Sequence, residues 1–139
     1  MEESSVLKPT LICFSKLCKD KNEKAYFYGK EKSKLGNFFY REKKKYPPIF
    51  KDVKFSTGGD YYRSLEIEDE LTTMIISRMI EYFAPDNHPF EVSGLYKFYE
   101  EVRDKKTFDK IALDFYNELG CLSNGTMRKD LEKVINNNS

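Results

Sequence analysis

Few residues in this 139-residue chain have side chains that could act as a nucleophile or a base near neutral pH. The chain has one histidine, His88, and three cysteines, Cys13, Cys18 and Cys121. A cysteine nucleophile requires a base close to it, and the one imidazole lies in a proline-flanked turn. Cysteine is more often a small buried apolar residue, and an odd number of cysteines without a visible secretion signal predicts free thiols. We therefore expect no catalytic residue and no enzymatic activity.

A metal site would need several histidine, cysteine or carboxylate ligands at close spacing. Cys13 and Cys18 are not accompanied by a second pair, and no HExxH pattern surrounds His88. The densest carboxylate cluster, Glu66 to Glu70, has the oxygen ligands that divalent cations prefer. It also lies in the first turns of a predicted helix, where the helix dipole favours negative charge. This position already explains the cluster, so the sequence predicts no metal and no cofactor.

The net charge of +1 conceals an uneven distribution of charge along the chain. Residues 8–54 contain 14 Lys or Arg against 5 Asp or Glu, a net charge of +9. Residues 55–139 contain 10 against 16, a net charge of −6. A separation of this kind can direct a polyanion to one side of a molecule. It can equally mean that the two parts attract each other within the fold.

Basic and aromatic side chains are interleaved within the basic part of the chain. The basic residues are Lys30, Lys32, Lys34, Arg41, Lys43, Lys44 and Lys45. The rings beside them are Tyr26, Phe27, Tyr28, Phe38, Phe39, Tyr40 and Tyr46. This mixture is typical of surfaces that hold single-stranded nucleic acid, where each base stacked on a ring contributes roughly 1–3 kcal/mol. Because large rings are costly to leave in water, we expect Phe38 and Phe39 in the core and the basic side chains on a phosphate-facing surface.

Residues 110–135, KIALDFYNELGCLSNGTMRKDLEKVI, resemble the helix-turn-helix of DNA-binding regulators. In this resemblance, Leu119 and Gly120 end the first helix, and Ser123 or Thr126 begins the second. Residues near the start of the second helix meet base edges in the major groove in that family. The resemblance implies that the residues facing DNA are Asn124, Thr126, Arg128 and Lys129, and that those facing the core are Leu131 and Val134. A plain helical hairpin would have a similar pattern, and the acidic surroundings oppose phosphate binding.

Patterns in the N-terminal half predict two helices, a strand and a turn that could join two further strands. A proline in the first turn and apolar residues at helical spacing favour a helix from Pro9 to Cys18. The short aromatic run from Ala25 to Gly29 is typical of a strand. A helix over 35–46 would end before Pro47, because a residue that precedes proline avoids the helical region. Alternation on both sides of a Gly-Gly pair is consistent with a hairpin over 53–62.

The C-terminal half shows four amphipathic helical patterns separated by turn residues. Ser64 is a suitable N-cap for a helix over 65–83, which is followed by a proline-containing turn. The other helices are predicted over 91–103, 107–119 and 126–135. Helices with such short connections pack into a compact bundle. The sequence therefore predicts a mainly α fold, a compact helical bundle with room for a small β-hairpin in its N-terminal half.

These observations predict one domain over residues 1–139. It comprises a basic N-terminal part, 8–54, a helical net-acidic part, 64–135, and a disordered tail, 136–139. The function that they favour is a non-enzymatic nucleic-acid-binding or regulatory protein, with DNA or RNA bound by the basic patch. The alternative is a helical protein interaction module, an adaptor or inhibitor that docks an acidic protein or a second copy of itself through its charged faces. No apolar segment is long enough to cross a membrane and no signal peptide is visible, so we expect an intracellular protein.

Overall fold

The computed structural model describes residues 5–29, 31–57, 59–82, 89–122 and 126–129. Within these ranges the fold is mainly α, as predicted. The helices are α1 (Leu7–Asp20), α2 (Lys32–Lys45), α3 (Leu65–Ile76), α4 (Lys105–Glu118) and a 3₁₀ helix (Ser93–Glu101). The short strands are β1 (Tyr26–Phe27), β2 (Ser56–Thr57), β3 (Tyr62–Arg63), β4 (Glu81–Tyr82), β5 (Phe90–Glu91) and β6 (Gly120–Cys121). The helices in this part of the chain all lack the combination of length and apolar composition that a membrane span requires.

Helix α1 lies at the centre of the molecule, packed against both α4 and the 3₁₀ helix. Its buried residues are Leu7, Thr10, Leu11, Ile12, Cys13, Phe14, Ser15 and Cys18. A helix that is apolar around most of its circumference must be covered on several sides. The buried Ser15 hydroxyl accepts a hydrogen bond from the Tyr96 N–H at 2.9 Å and donates one to the Ser93 carbonyl at 3.0 Å. These bonds hold the first turn of the 3₁₀ helix against α1.

Phe115 of α4 lies at the centre of a group of buried phenylalanine rings. Its ring centroid is 5.1 Å from that of Phe14, 5.3 Å from that of Phe27 and 5.4 Å from that of Phe38. The Phe39 ring lies 5.0 Å from the Phe38 ring and completes the group. Aromatic pairs at such separations contribute about 0.5–1.5 kcal/mol beyond the burial of their surface. The prediction that Phe38 and Phe39 belong to the core is confirmed, since both are buried.

The strand predicted in the aromatic run 25–29 is confirmed, and it is an interior strand of an antiparallel sheet ordered β4-β5-β1-β6. Tyr26 is paired with Glu91 on one side and with Cys121 on the other. Both partner strands come from the C-terminal half, so this sheet joins the two halves of the chain. The predicted hairpin is also present, since β2 and β3 pair antiparallel with Ser56 opposite Arg63.

The helix predicted over 65–83 is shorter than expected. It begins as predicted, with the Ser64 hydroxyl accepting a hydrogen bond from the backbone N–H of Ile67. It ends at Ile76, because Arg78 takes a left-handed backbone conformation, with φ of 65°, that an α-helix cannot continue. The chain then enters β4, which the apolar spacing does not predict.

The helices predicted farther along the chain are also corrected. Residues 91–103 form β5 and then the 3₁₀ helix rather than an α-helix. The helix predicted over 107–119 begins earlier, at Lys105. Of the helix predicted over 126–135 the structure describes 126–129, and the predicted tail, 136–139, lies outside the described residues.

Gly36 allows α2 to lie directly against strand β3. A Cβ atom at this position would be 2.1 Å from the carbonyl oxygen of Tyr62, far inside the contact distance. The side-chain oxygen of Asn37, one residue farther on, accepts a hydrogen bond from the Tyr62 N–H at 2.9 Å. The helix and the hairpin therefore meet without an intervening side chain. Gly36 weakens the helical pattern of α2, but the packing of α2 against β3 requires a glycine at this position.

Candidate nucleic-acid interface

Helix α2 separates the interleaved basic and aromatic residues into two faces. The buried positions include Leu35, Phe38, Phe39 and Glu42. The outward positions, which are exposed or half-exposed, are Lys34, Asn37, Tyr40, Arg41 and Lys44. Intervals of three or four residues place side chains on one side of a helix. The stretch that looks like a single mixed surface in the sequence is therefore a core face and a basic outer face of one helix.

Three cationic side chains line one open cleft of about 480 Å³ beside α2. They are Lys34 and Arg41, on the outer face of α2, and Lys129, from the segment that follows β6. The other lining residues are Asn37, Glu118, Leu119 and Met127. Among the described residues, the lining of the cleft therefore has three positive charges against one negative charge. Lys34 and Arg41 belong to the predicted basic patch, and Lys129 belongs to the second helix of the helix-turn-helix resemblance. The fold therefore brings together residues that the sequence assigns to two different nucleic-acid-binding surfaces.

Four members of the predicted basic patch are paired with carboxylates. The pairs are Lys32 with Glu68 at 3.8 Å, Lys34 with Glu31 at 3.7 Å, Arg41 with Glu118, and Lys45 with both Glu42 at 3.3 Å and Asp114 at 3.0 Å. The pairs that involve Glu68, Glu118 and Asp114 attach the basic part of the chain to the acidic part. The basic and acidic parts of the chain therefore attract each other within the fold through these ion pairs. Exposed pairs contribute only about 0–1 kcal/mol, so a phosphate can displace an exposed carboxylate partner easily.

Two neighbouring lysines near the end of α2 have different surroundings. The ammonium of Lys43 donates a hydrogen bond to the carbonyl of Val53 at 2.7 Å and so holds the loop that follows α2. The ammonium of Lys44 lies 4.8 Å from the ring centroid of Tyr40. Across the described ranges, neither Lys44 nor Lys129 has a carboxylate partner. Among the predicted binding residues within these ranges, these two cations are therefore the most available to a phosphate.

The rings of Tyr40 and Tyr62 are stacked beside the cleft. Their centroids are 3.5 Å apart and their planes are inclined by 5°. A hydrogen bond to the Tyr40 hydroxyl raises the pKa of Tyr62. Asn37 both lines the cleft and bonds the Tyr62 backbone, so the stack and the cleft are contiguous. Tyr62 is not among the rings that the sequence assigns to the binding surface, because it belongs to β3 whereas its stacking partner Tyr40 belongs to α2. The one sequence signal for this contact is Gly36, since a glycine can mark the close approach of another backbone.

Arg128 lies inside the protein rather than on its surface. Its guanidinium donates a hydrogen bond to the carbonyl of Cys121 at 2.7 Å and pairs with Glu23 at 3.2 Å. It also lies 4.2 Å from the ring centroid of Tyr116, whose hydroxyl donates to Glu23 at 2.7 Å. Burial and this hydrogen bond raise the pKa of Tyr116 to about 12. The helix-turn-helix resemblance implies that Arg128 faces DNA, and this is corrected: the side chain is buried and holds the segment that carries Lys129.

The helix-turn-helix resemblance itself stays a prediction. Helix α4 ends at Glu118, close to the predicted end of the first helix. The chain then forms β6, and Cys121 is bridged to Met127, so a strand follows where the family has a turn. The predicted residues of the basic patch and of the helix-turn-helix that lie outside the described ranges are Lys30, Ser123, Asn124, Leu131 and Val134.

A buried carboxyl group lies between α2 and α4. Glu42 is 1% exposed, and its Oε1 atom has no hydrogen-bond partner within the described part of the chain. Burial, followed by the neighbouring Asp114, raises the pKa of Glu42 to about 7. This carboxyl can take up a proton near neutral pH, but it is not among the residues that line the cleft. Within the described residues there is no group of three or more side chains that could hold a metal ion.

The three cysteines are free and buried, as predicted. Burial raises the pKa of each thiol to about 12. Thiols so far from ionisation are poor nucleophiles. His88 lies outside the described residues.

No protein-family model gives a significant match to this chain, and neither does any curated protein or solved structure. Its function therefore has to be inferred from the cleft, the outer face of α2 and the stacked tyrosines.

Proposed function

We propose that this chain is a non-enzymatic nucleic-acid-binding protein that holds the phosphates of DNA or RNA with the outer face of α2 and the cleft beside it. The observation that carries this proposal is that Lys34, Arg41 and Lys129 line one open cleft. Lys44 extends the same positive face toward the stacked rings of Tyr40 and Tyr62. Cationic side chains aligned along a groove are the usual means of following a phosphate backbone.

The electrostatics of the cleft favour a phosphate even though Glu118 is present. The pair between Arg41 and Glu118 is partly exposed, and salt weakens such pairs further. A guanidinium has five N–H donors, so Arg41 can keep its bond to Glu118 and also donate to a phosphate. Lys34 and Lys129 supply the second and third cations. Each phosphate neutralised in this way releases counterions, which makes the affinity depend on salt.

A binding titration tests the proposal. The labelled probes are an oligothymidylate, an oligouridylate and a blunt DNA duplex, and the readout is fluorescence anisotropy at several salt concentrations. We expect binding that weakens as salt rises, with the logarithm of the affinity falling linearly with the logarithm of the salt concentration. Absence of binding to every probe at low salt would contradict the proposal.

Charge variants locate the interface. The triple variant Lys34→Gln, Arg41→Gln and Lys129→Gln should weaken binding and reduce the salt slope by roughly 0.7 to 0.9 for each phosphate that the protein no longer neutralises. The matched control replaces with glutamine three exposed lysines that do not line the cleft, Lys97, Lys106 and Lys110. An equal loss of affinity in the two triple variants would indicate general electrostatic attraction instead of binding at this cleft.

A second candidate function is the docking of an acidic protein segment in the same cleft. The observation that favours it is the apolar wall formed by Leu119 and Met127, which suits an apolar side chain better than a phosphate. A protein partner that remains bound after nuclease treatment would support this alternative, provided that the cleft variant releases it and the control variant does not.

A further inference from the structure

We infer that the interface prefers single-stranded to double-stranded nucleic acid, because it binds an unpaired base on the outer face of the Tyr62 ring. This inference rests on the proposed function and adds to it the class of nucleic acid and the ring that recognises it. It follows from the position of Tyr62 in a column of three side chains beside the cleft.

The ring of Tyr40 is covered on both of its faces. Tyr62 is stacked on one face, with the centroids 3.5 Å apart and the planes inclined by 5°. No other group fits between rings at this separation, so the Lys44 ammonium, 4.8 Å from the Tyr40 centroid, lies over the opposite face. The column therefore has the order Lys44, Tyr40, Tyr62. Tyr62 ends this column: it is half-exposed, and its ring contact among the described residues is with Tyr40. In this inference, the base lies on the second face of its ring.

The Tyr62 ring is held in this position before any ligand binds. Gly36 brings β3 against α2, because a side chain there would meet the Tyr62 carbonyl oxygen at 2.1 Å. The Asn37 side chain accepts a hydrogen bond from the Tyr62 N–H, and Thr57 pairs with Tyr62 across the hairpin. A ring that is already ordered loses little conformational entropy when a base stacks on it.

The Tyr62 ring and the cleft are connected through α2. Asn37 lines the cleft and also holds the backbone of Tyr62. Arg41, another lining residue, directly follows Tyr40 on the helix. A nucleic-acid chain whose phosphates lie in the cleft can therefore place a base on Tyr62 as it passes along the outer face of α2.

Stacking on Tyr62 requires a base with a free face. In a duplex, neighbouring base pairs cover both faces of each internal base, and proteins reach only the base edges through the grooves. In a single strand the bases can be splayed out and stacked on aromatic side chains. Because every base has a π face, this contact favours single strands without selecting a sequence.

The absence of tryptophan from the chain allows a direct test. In the variant Tyr62→Trp, the single indole replaces the stacked ring, and its fluorescence reports a base placed on it. We expect quenching on titration with oligothymidylate and little change with a blunt duplex at the same nucleotide concentration. The matched control is Tyr61→Trp, at the adjacent half-exposed position. Equal quenching by single strand and duplex, or equal quenching of the two indoles, would overturn the inference.

Affinity measurements complete the test. Tyr62→Ala should bind oligothymidylate roughly 5- to 150-fold more weakly, as expected for the loss of one stacked base. Tyr62→Phe should bind like the wild type, because it keeps the ring. Circular dichroism checks that each variant is folded, and the indole readout decides the question if Tyr62→Ala does not fold.

Failure of this inference and failure of the proposed function give different results. Salt-dependent binding that Tyr62→Ala leaves unchanged, or that is as tight for duplex as for single strand, overturns stacking on Tyr62 and leaves the phosphate-binding cleft in place. Absence of binding to every probe overturns both.

Discussion

The carboxyl groups of Glu42 on α2 and Asp114 on α4 lie together with the ammonium of Lys45, which is 3.3 Å from Glu42 and 3.0 Å from Asp114. Glu42 is almost completely buried, whereas Asp114 is half-buried. Burial and the neighbouring Asp114 disfavour ionisation of Glu42 and raise its pKa from 4.5 to about 7. This cluster joins the helix that carries the basic face to the core of the protein.

The raised pKa of Glu42 predicts that the free energy of unfolding falls as the pH rises from 4.5 to about 7. In this range the folded protein keeps the Glu42 proton and the unfolded chain has lost it, so the folded state binds more protons. One unit of pKa difference corresponds to about 1.4 kcal/mol, so the difference between 4.5 and about 7 sets an upper limit of about 3.5 kcal/mol on the loss from this carboxyl. Urea unfolding followed by circular dichroism across this pH range measures it.

The variant Glu42→Gln isolates this contribution, because its amide has no proton to lose. It should show a flatter dependence of stability on pH than the wild type, and it should be the more stable protein above this pH range. The control Glu101→Gln changes an exposed carboxylate and should keep the wild-type dependence. The same pH dependence in the wild type and in Glu42→Gln would contradict the assignment.

Gly36→Ala should destabilise the protein although alanine is the better helix former. Helix propensity alone favours alanine by about 1 kcal/mol. The new Cβ would lie 2.1 Å from the Tyr62 carbonyl oxygen, and this backbone atom cannot move aside unless β3 separates from α2. We expect a net loss of about 1–3 kcal/mol in the free energy of unfolding, measured by urea titration.

Gly94→Ala is the matched control for Gly36→Ala, because a Cβ atom at Gly94 meets nothing within 4 Å. It should be neutral or slightly stabilising. If Gly36→Ala were as stable as the wild type, α2 and β3 would not be in contact through this glycine.

The contrast between Gly36 and its neighbours shows what a local pattern can predict. Phe38 and Phe39 stand at helical spacing from Leu35, and large rings are costly in water, so their burial follows from residues within one turn. The role of Gly36 depends on Tyr62, which belongs to a different element. The four α-helices contain 12 or 14 residues and repeat their apolar spacing often enough to be found. Strands of two residues have no detectable period, so most of the four-stranded sheet is missed.

Buried charges are hard to predict from sequence for the same reason. Glu42 stands in the charged run REKKK, yet it is buried, because α2 packs against α4 and brings Asp114 beside it. Arg128 has the pattern of a surface cation, but its partner Glu23 is 105 residues away. The basic cleft is likewise found only from the fold, because Lys129 and α2 are distant in sequence.

Arg128→Ala should destabilise the protein more than Lys129→Ala. Loss of the Arg128 guanidinium leaves the buried Cys121 carbonyl and the Glu23 carboxylate without this donor and removes the packing on the Tyr116 ring. Hydrogen bonds to charged groups contribute about 1.5–3 kcal/mol, and we expect a loss of this size by urea titration. Replacement of the exposed Lys129 should change stability by less than about 0.5 kcal/mol.

Arg128→Lys sharpens this prediction. An ammonium lacks the planar fork of a guanidinium and does not stack on a ring in the same way. Arg128→Lys should therefore recover only a small part of the stability lost in Arg128→Ala. Full recovery would mean that charge alone holds this segment, and equal stability of Arg128→Ala and Lys129→Ala would contradict the buried position of Arg128.

The cysteines should react slowly with a thiol-specific reagent while the protein is folded. All three are buried, and burial raises the pKa of each thiol to about 12, whereas only the thiolate reacts. Labelling should therefore follow local or global opening and accelerate as urea is added. Because Arg128 bonds to the backbone of Cys121, Arg128→Ala should accelerate labelling of Cys121 before that of Cys13. Mass spectrometry of the labelled peptides, with Lys129→Ala as the control, measures this order, and rapid labelling of Cys13 in the wild type without urea would contradict the central position of α1.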